Sequence, residues 1–337
     1  MIADDSFSNG NLTSTVTFSF SEAVDPTSLE LSATGGIIEP GSLVVAEDGL
    51  SATATFTADD DSTTAATVTL TAFKDLVGNA GTSTASAPVT VDTVNPTATV
   101  VIEDASFSDG NPTSTVTFTF TEAVDPTSLE LSTTGGTVDP DSIVIAVDGL
   151  SATATFIASN SSTTDATVTL TAFKDLAGNA GTPAASDPVP VDTVKPTVQI
   201  AFSETSLSDG IPTSTVTFTF SEAVDPDSLD VRASGGIIEP GSLVLAEDGL
   251  SATATFTATD NSAADASVTL LAFTDLAGNS GTSTPSAPVT VDTRNPTATV
   301  VIADDSFSNG NLTSTVDPVR SGHGRHPQPD GDGRDRG

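Results

Sequence analysis

Apolar residues in this chain fall on alternate positions. In Ser114-Thr-Val-Thr-Phe-Thr-Phe120 the larger apolar side chains at 116, 118 and 120 are separated by threonines. Side chains on a strand point to opposite faces in turn, so this is the pattern of a strand buried on one side. Leu150, Ala152, Ala154 and Phe156 repeat it, as do Val168, Leu170 and Ala172, and then Val189 and Val191. Turn formers separate the runs: Ser108-Asp-Gly-Asn111, Gly135-Gly136, Asp148-Gly149 and Gly178-Asn179. No run has a helical period. The pattern predicts about seven short strands, with Phe107, Phe118, Phe120, Phe156 and Phe173 anchoring the core.

The whole pattern recurs. Ser14–Asp25 returns at Ser114–Asp125 and Ser214–Asp225, and Phe73-Lys-Asp-Leu-Val-Gly-Asn79 returns near Phe173 and Phe273, at a period of 100 residues without an insertion. Ile302 to Val316 is identical to Ile2 to Val16. A unit of this length with strands every 8–12 residues suits an immunoglobulin-like sandwich. The fold class read from the sequence is therefore all-β: tandem immunoglobulin-like antiparallel β-sandwich repeats in an end-to-end rod. The predicted boundaries are 1–95 (lacking most of its first strand), 96–195, 196–295, the start of a truncated fourth repeat at 296–316, and a tail at 317–337. The rod follows from the linker Val191-Asp-Thr-Val-Lys-Pro-Thr197, where Pro196 fixes its own φ and biases Lys195 toward extension.

The tail differs from the repeats. Asp317 to Gly337 holds 4 of the 9 basic residues and both histidines. Shifting the reading frame by one base over 324–329 permits a sequence close to Val124–Leu129, so the tail reads as out-of-frame translation and is expected to be disordered. Asp330-Gly-Asp-Gly333 and the pair His323 and His326 thereby lose weight as metal motifs.

Charge narrows the function. The chain carries 45 acidic and 9 basic residues, a formal net charge of −36. Such a field repels nucleic acid and anionic membrane, and suits divalent cations. Cysteine is absent and both histidines lie in the tail. No enclosed carboxylate pair suggests glycosidase chemistry. The chain is read as a non-enzyme.

Val116-Thr-Phe-Thr-Phe120 with Glu122-Ala-Val, Ala154-Thr-Phe156, Phe173-Lys-Asp-Leu-Ala-Gly-Asn179 and Val191-Asp-Thr-Val-Lys-Pro196 together resemble the bacterial Ig-like tandem repeats of large repetitive biofilm-associated and RTX-type surface adhesins. The resemblance covers residues 1–316. It implies display on the bacterial cell surface, outside the cell, as a stalk made of neighbouring repeats. Such a stalk would project a tip, absent here, toward a host or matrix surface. It also implies calcium at the junctions between domains.

Calcium takes six to eight oxygen ligands. The expected strand order gathers the Glu122–Asp125 and Lys174–Asn179 loops at the leading end of a repeat, where Asp92 exits the preceding one. The candidate metal ligands are Asp92, Glu122, Asp125, Asp175 and Asn179 at one junction, and Asp192, Glu222, Asp225, Asp275 and Asn279 at the next. Each is also a residue that commonly forms turns or stands solvated. Asp59-Asp60-Asp61 becomes Ser159-Asn160-Ser161 and Thr259-Asp260-Asn261, so this loop keeps turn formers and not charge. An alternative function is that the repeats themselves bind a glycan or a protein.

Overall fold

The computed structural model describes residues 1–302, Thr313 and the backbone of 316–320. The chain divides into two compact units: Met1–Lys195 together with Ala277–Asn279, and Pro196–Leu276 with the residues from Ser280 on.

The second repeat, in the first unit, shows the design in full. One sheet has the order Ala98–Ile102, Thr113–Phe120, Ser151–Ala158, Gly136–Ile145, all antiparallel. The other runs Glu130–Thr134, Thr167–Ala172, Ala184–Ala185. The inward residues Val116, Phe118, Phe120, Ala152, Ala154, Phe156, Val168 and Leu170 are buried between the sheets. All five anchoring phenylalanines are buried, and the rings of Phe107 and Phe156 lie 5.3 Å apart. Burying each ring stabilises the fold by roughly 1.5–3 kcal/mol. Among the described residues the only helical element is the 3-10 turn Pro226–Ser228.

Leu150, expected at an inward position, is exposed. It belongs to the turn before the strand, where Gly149 has φ 71° and the Leu150 N–H bonds to Asp148 Oδ1. Alternation starts only at Ser151–Ala158. The sequence also concealed the strand Gly136–Ile145, because a register shift between Asp139 and Val144 breaks its period.

The segment that follows the opening strand runs parallel to the last segment of the repeat. Ser6–Phe7 pairs with Thr90–Val91, the single bridge Phe107–Val191 stands at the same place in the second repeat, and in the second unit Ser206–Ser208 pairs with Thr290–Asp292. This closure explains the Val-Asp-Thr motif. Val191 is buried and Thr193 is 2% exposed. The Thr193 hydroxyl accepts from Ser162 N (3.0 Å) and donates to Ser159 O (2.7 Å). It thereby locks the loop in which Ser161 takes a left-handed φ of 50°. Asp61 and Asn261 do the same at 51° and 52°, which is why turn formers, and not acids, persist there. Thr193→Val keeps the shape and takes the hydrogen-bond partner from two part-buried backbone groups. The expected loss is about 0.5–1.5 kcal/mol by chemical denaturation, with Thr193→Ser retaining most of the stability.

The first repeat has the same sheets with one difference. Met1 and Ile2 stand where the second repeat has Val101 and Ile102, so the opening strand is reduced to the bridge Ile2–Val16 and a bond from Thr17 N to Met1 O. Phe18, Phe20 and Phe73 are correspondingly only half-buried, whereas Phe118, Phe120 and Phe173 are buried.

In the second unit, Val198–Phe202, Thr213–Phe220, Ser251–Ala258 and Gly236–Ile238 form the first sheet, and Asp230–Ser234 pairs with Ser267–Ala272. Beyond them, Ala298–Ile302 pairs antiparallel with Val316–Arg320. The expectation of disorder over 317–337 therefore does not hold for 317–320. The Ile302–Val316 register copies Ile102–Val116, and backbone pairing along a strand edge makes few demands on the sequence that continues it. Residues 303–312, 314, 315 and 321–337, with the rest of the expected fourth repeat and tail, lie outside the described residues.

Candidate metal centre

The loop that carries Asp175 closes on itself. Asp175 N donates to Asn179 O (3.1 Å), and Asp175 Oδ1 accepts from Asn179 N (2.8 Å). Asp175 Oδ2 accepts from Asn179 Nδ2 (2.6 Å). Gly178, at φ 94°, makes the reversal possible. Asp75 and Asn79 form the same bonds in the first repeat, so the loop needs no neighbour to fold. There, however, Asn79 is exposed, while Asn179 is 1% and Asp175 3% exposed.

Asn179 also binds the end of the first repeat. Its Oδ1 accepts from Asn9 N (2.7 Å), and its Nδ2 donates to Asp92 O (2.9 Å). Asn9 Nδ2 donates in turn to Asn95 Oδ1 (2.8 Å). One side chain thus joins a turn, a linker and a loop from two repeats. Neither Asn9 nor Asn95 was singled out in the sequence, since an asparagine in a turn carries no mark of a distant partner.

Three carboxylates meet at this seam. Oxygens of Asp92, Glu122 and Asp175 lie within 4.8 Å of one another. Asp92 is placed by the bond from its N–H to Phe7 O (3.0 Å). Glu122 is brought beside the Asp175 loop by the bridge Val124–Asp175 and the bond from Asp125 N to Lys174 O (2.8 Å). Glu122 Oε1 is buried and has no hydrogen-bond donor. Burial raises the Glu122 carboxyl above its ordinary value, and the charges of Asp175 and Asp92 raise it further. Among the described residues no lysine or arginine pairs with the three; the only salt bridges are Lys195–Asp109 (2.9 Å) and Arg294–Asp292 (3.4 Å). A buried, donor-less carboxylate oxygen beside two more acids fits a hard cation, whose remaining ligands would be carbonyls and water.

Asp125 stands outside the group. Its Oδ1 accepts from the N–H and hydroxyl of Thr127 (2.9 and 2.8 Å), and these two bonds hold its carboxyl below the ordinary range. Asp225 likewise caps a turn, accepting from Asp227 N (3.0 Å). Asp192 ends the second repeat, with its N–H on Phe107 O and its Oδ1 accepting from Val194 N (3.2 Å). Asn279, in the segment grouped with the first unit, accepts from Asp109 N (2.6 Å) and donates to Asp192 O (2.9 Å). In the second unit Glu222 is half-buried and Asp275 buried.

Two face-to-face antiparallel sheets, closed by a parallel pair that includes the last strand and repeated at a fixed period, define a string of immunoglobulin-like domains. The chain belongs to the bacterial Ig-like domain family, whose model matches residues 1–91, 92–189 and 192–291. No curated protein matches the chain. Among solved structures, InvD of Yersinia pseudotuberculosis is similar at 16% identity and TM-score 0.36, over 87% of this chain and 97% of that one. The adhesin InvE of the same organism is 16% identical at TM-score 0.23, and the match spans 61% of this chain and 65% of that one. A tetra-tandem repeat from the extending region of a large adhesion protein is 17% identical at TM-score 0.29, over 87% of this chain and 74% of that one. Among the described residues no helix is long and apolar enough to cross a membrane.

Proposed function

We propose that the chain is an extender, or stalk, segment of a bacterial cell-surface adhesin, and that calcium between Asp92, Glu122 and Asp175 stiffens the seam between its repeats. The observation that carries this reading is the seam itself. The Asp175–Asn179 loop is buried by the preceding repeat and bonded to it, and three carboxylates converge there without a counter-charge. A stalk needs rigid joints more than it needs a pocket, and membership of a domain family that occurs here in tandem supports that role. Binding of a glycan or protein by the repeats is disfavoured, because among the described residues no phenylalanine is exposed and no other aromatic residue occurs in the chain.

Small-angle scattering tests the reading. In millimolar calcium the chain is expected to show a larger maximum dimension and a narrower spread of shapes than in chelator. Identical profiles would remove the stiffening role.

A further inference from the structure

The turn Ser8-Asn-Gly-Asn11 is where Asn179 grips the body of the first repeat. Its ends bond to each other, Asn11 N to Ser8 O (2.8 Å) and Ser8 N to Asn11 O (3.3 Å), while Asn9 N reaches out to Asn179 Oδ1 (2.7 Å). Asn9-Gly10 is also the one Asn-Gly pair among the described residues. The carboxamide of an asparagine is open to attack by the backbone nitrogen of the next residue, which closes a five-membered ring. Glycine in that next place favours closure, because it has no Cβ to crowd the ring.

The fold leaves this pair free and protects its relatives. In Asp48-Gly49, Asp148-Gly149 and Asp248-Gly249 the glycine N–H donates to the carbonyl of Ala46, Ala146 or Ala246 (2.9, 2.9 and 3.0 Å), which holds it away from the side chain. Gly10 is exposed, and its N–H has no acceptor among the described residues. A Cβ at Gly10 would meet nothing nearer than the Ser8 hydroxyl at 3.9 Å, so the turn has room to move. Asn95 and Asn111 precede prolines, which have no N–H to attack with. Asn79 and Asn179 have their amides tied to Asp75 and Asp175 (both 2.6 Å). The second repeat has Asp109 in place of Asn9. Its carboxylate pairs with Lys195 (2.9 Å) where Asn9 Nδ2 donates to Asn95 Oδ1 (2.8 Å), and its N–H still donates to Asn279 Oδ1 (2.6 Å). A carboxylate on an ordinary backbone is therefore compatible with this turn.

We propose that Asn9 is a self-modification site, whose deamidation to isoaspartate releases Asn179 and loosens the seam between the first two repeats as the protein ages. Gly10 N bonds to Asn9 Cγ and gives up its proton to water. The Cγ–Nδ2 bond breaks, and the nitrogen leaves as ammonia. Water then opens the ring at either carbonyl. Breaking the bond from Gly10 N to Cγ leaves aspartate. Breaking its bond to the main-chain carbonyl carbon leaves isoaspartate, in which the chain runs through Cβ and Cγ. The extra backbone carbon falls inside the four-residue turn and shifts Asn9 N away from Asn179 Oδ1. The change acts on the hydrogen bonds of the seam and needs no ion at Asp92, Glu122 and Asp175.

The test ages the full chain at mildly alkaline pH and follows the tryptic peptide that ends at Lys74. That peptide holds Asn9 and Asn11 as its asparagines and excludes the same motif at Asn309-Gly310. Mass spectrometry is expected to show the amide-to-acid mass gain and isoaspartate at Asn9, growing with time, while Asn11 stays intact. Gly10→Ala, for which the turn has space, should stop the conversion over the same period. Hydrogen exchange reads the seam: the buried Asn179 N–H, bonded to Asp175 Oδ1, is expected to lose protection in the aged parent and to keep it in aged Gly10→Ala. Freshly prepared Asn9→Asp, with the ordinary backbone of Asp109, should keep it too. An Asn9 that converts no faster than Asn11 would overturn the proposal, as would conversion at an unchanged rate in Gly10→Ala. So would isoaspartate at Asn9 with Asn179 still protected, or loss of protection in fresh Asn9→Asp.

Discussion

Calcium added to the chelated chain is expected to raise its melting temperature. An ion held at Asp92, Glu122 and Asp175 binds only the assembled seam, so it stabilises by mass action, about 2.7 kcal/mol at a hundred times the dissociation constant. For a unit of two repeats that is a shift on the order of 5–10 °C. Glu122→Gln separates the ion from its site by acting in opposite directions. In chelator the variant melts higher than the parent, because it removes a half-buried charge beside two others. In calcium it loses most of the gain. Acid has the same two faces. The Glu122 carboxyl is raised in the folded protein, so its ionisation costs stability in full above the raised value. The cost fades as pH falls through that value toward 4.5. The chelated chain therefore gains stability from this group on mild acidification, while the calcium-loaded chain loses its ion to protons over the same range. Differential scanning calorimetry at several pH values reads both. A melting temperature indifferent to calcium would leave the three acids as a cluster that holds no ion.

Gly136→Ala is expected to damage the second repeat severely. A Cβ there would stand 2.3 Å from Ile157 O and 2.5 Å from Phe156 Cζ. Phe156 is fully buried and packed on Phe107, so neither neighbour has room to retreat. Overpacking of this kind costs about 1–3 kcal/mol or more, and the strand Gly136–Ile145 would be pushed off Ser151–Ala158. Gly110→Ala is the control, since its nearest neighbour is the Ser108 hydroxyl at 4.0 Å. Equilibrium unfolding in urea is expected to show a large drop for the first variant and almost none for the second.

That glycine marks a limit of the sequence. Gly135-Gly136 reads as a turn, and Gly135, at φ 66°, is one. The second glycine serves the phenylalanine ring across the sheet, a contact of long sequence separation that no local pattern reports. By contrast, the inward alternation of Val116, Phe118 and Phe120 was legible because a half-buried strand writes its faces into consecutive residues. The site was legible in kind. Loop chemistry placed Asp92, Glu122 and Asp175 at one end of a sandwich, and there they meet. Asp125 and Asp225 carried the same signal and are turn caps, since a carboxylate that caps Thr127 or Asp227 looks no different in sequence from one that awaits an ion. Asn179 was expected near a cation, and its hydrogen bonds go instead to Asp175, Asp92 O and Asn9 N.

The parallel closure of each repeat has a mechanical meaning. After the opening strand, the segment Ser6–Phe7 or its counterpart Ser206–Ser208 lies beside the strand through which the chain leaves, Thr90–Val91 or Thr290–Asp292. Because the paired segments run the same way, tension pulling on a repeat from both ends slides one along the other. Their hydrogen bonds then bear the load together, and do not open one at a time as in a hairpin pulled from its mouth. A repeat built this way yields at a force set by a few residues at its margins, largely independent of how much apolar surface the sandwich buries.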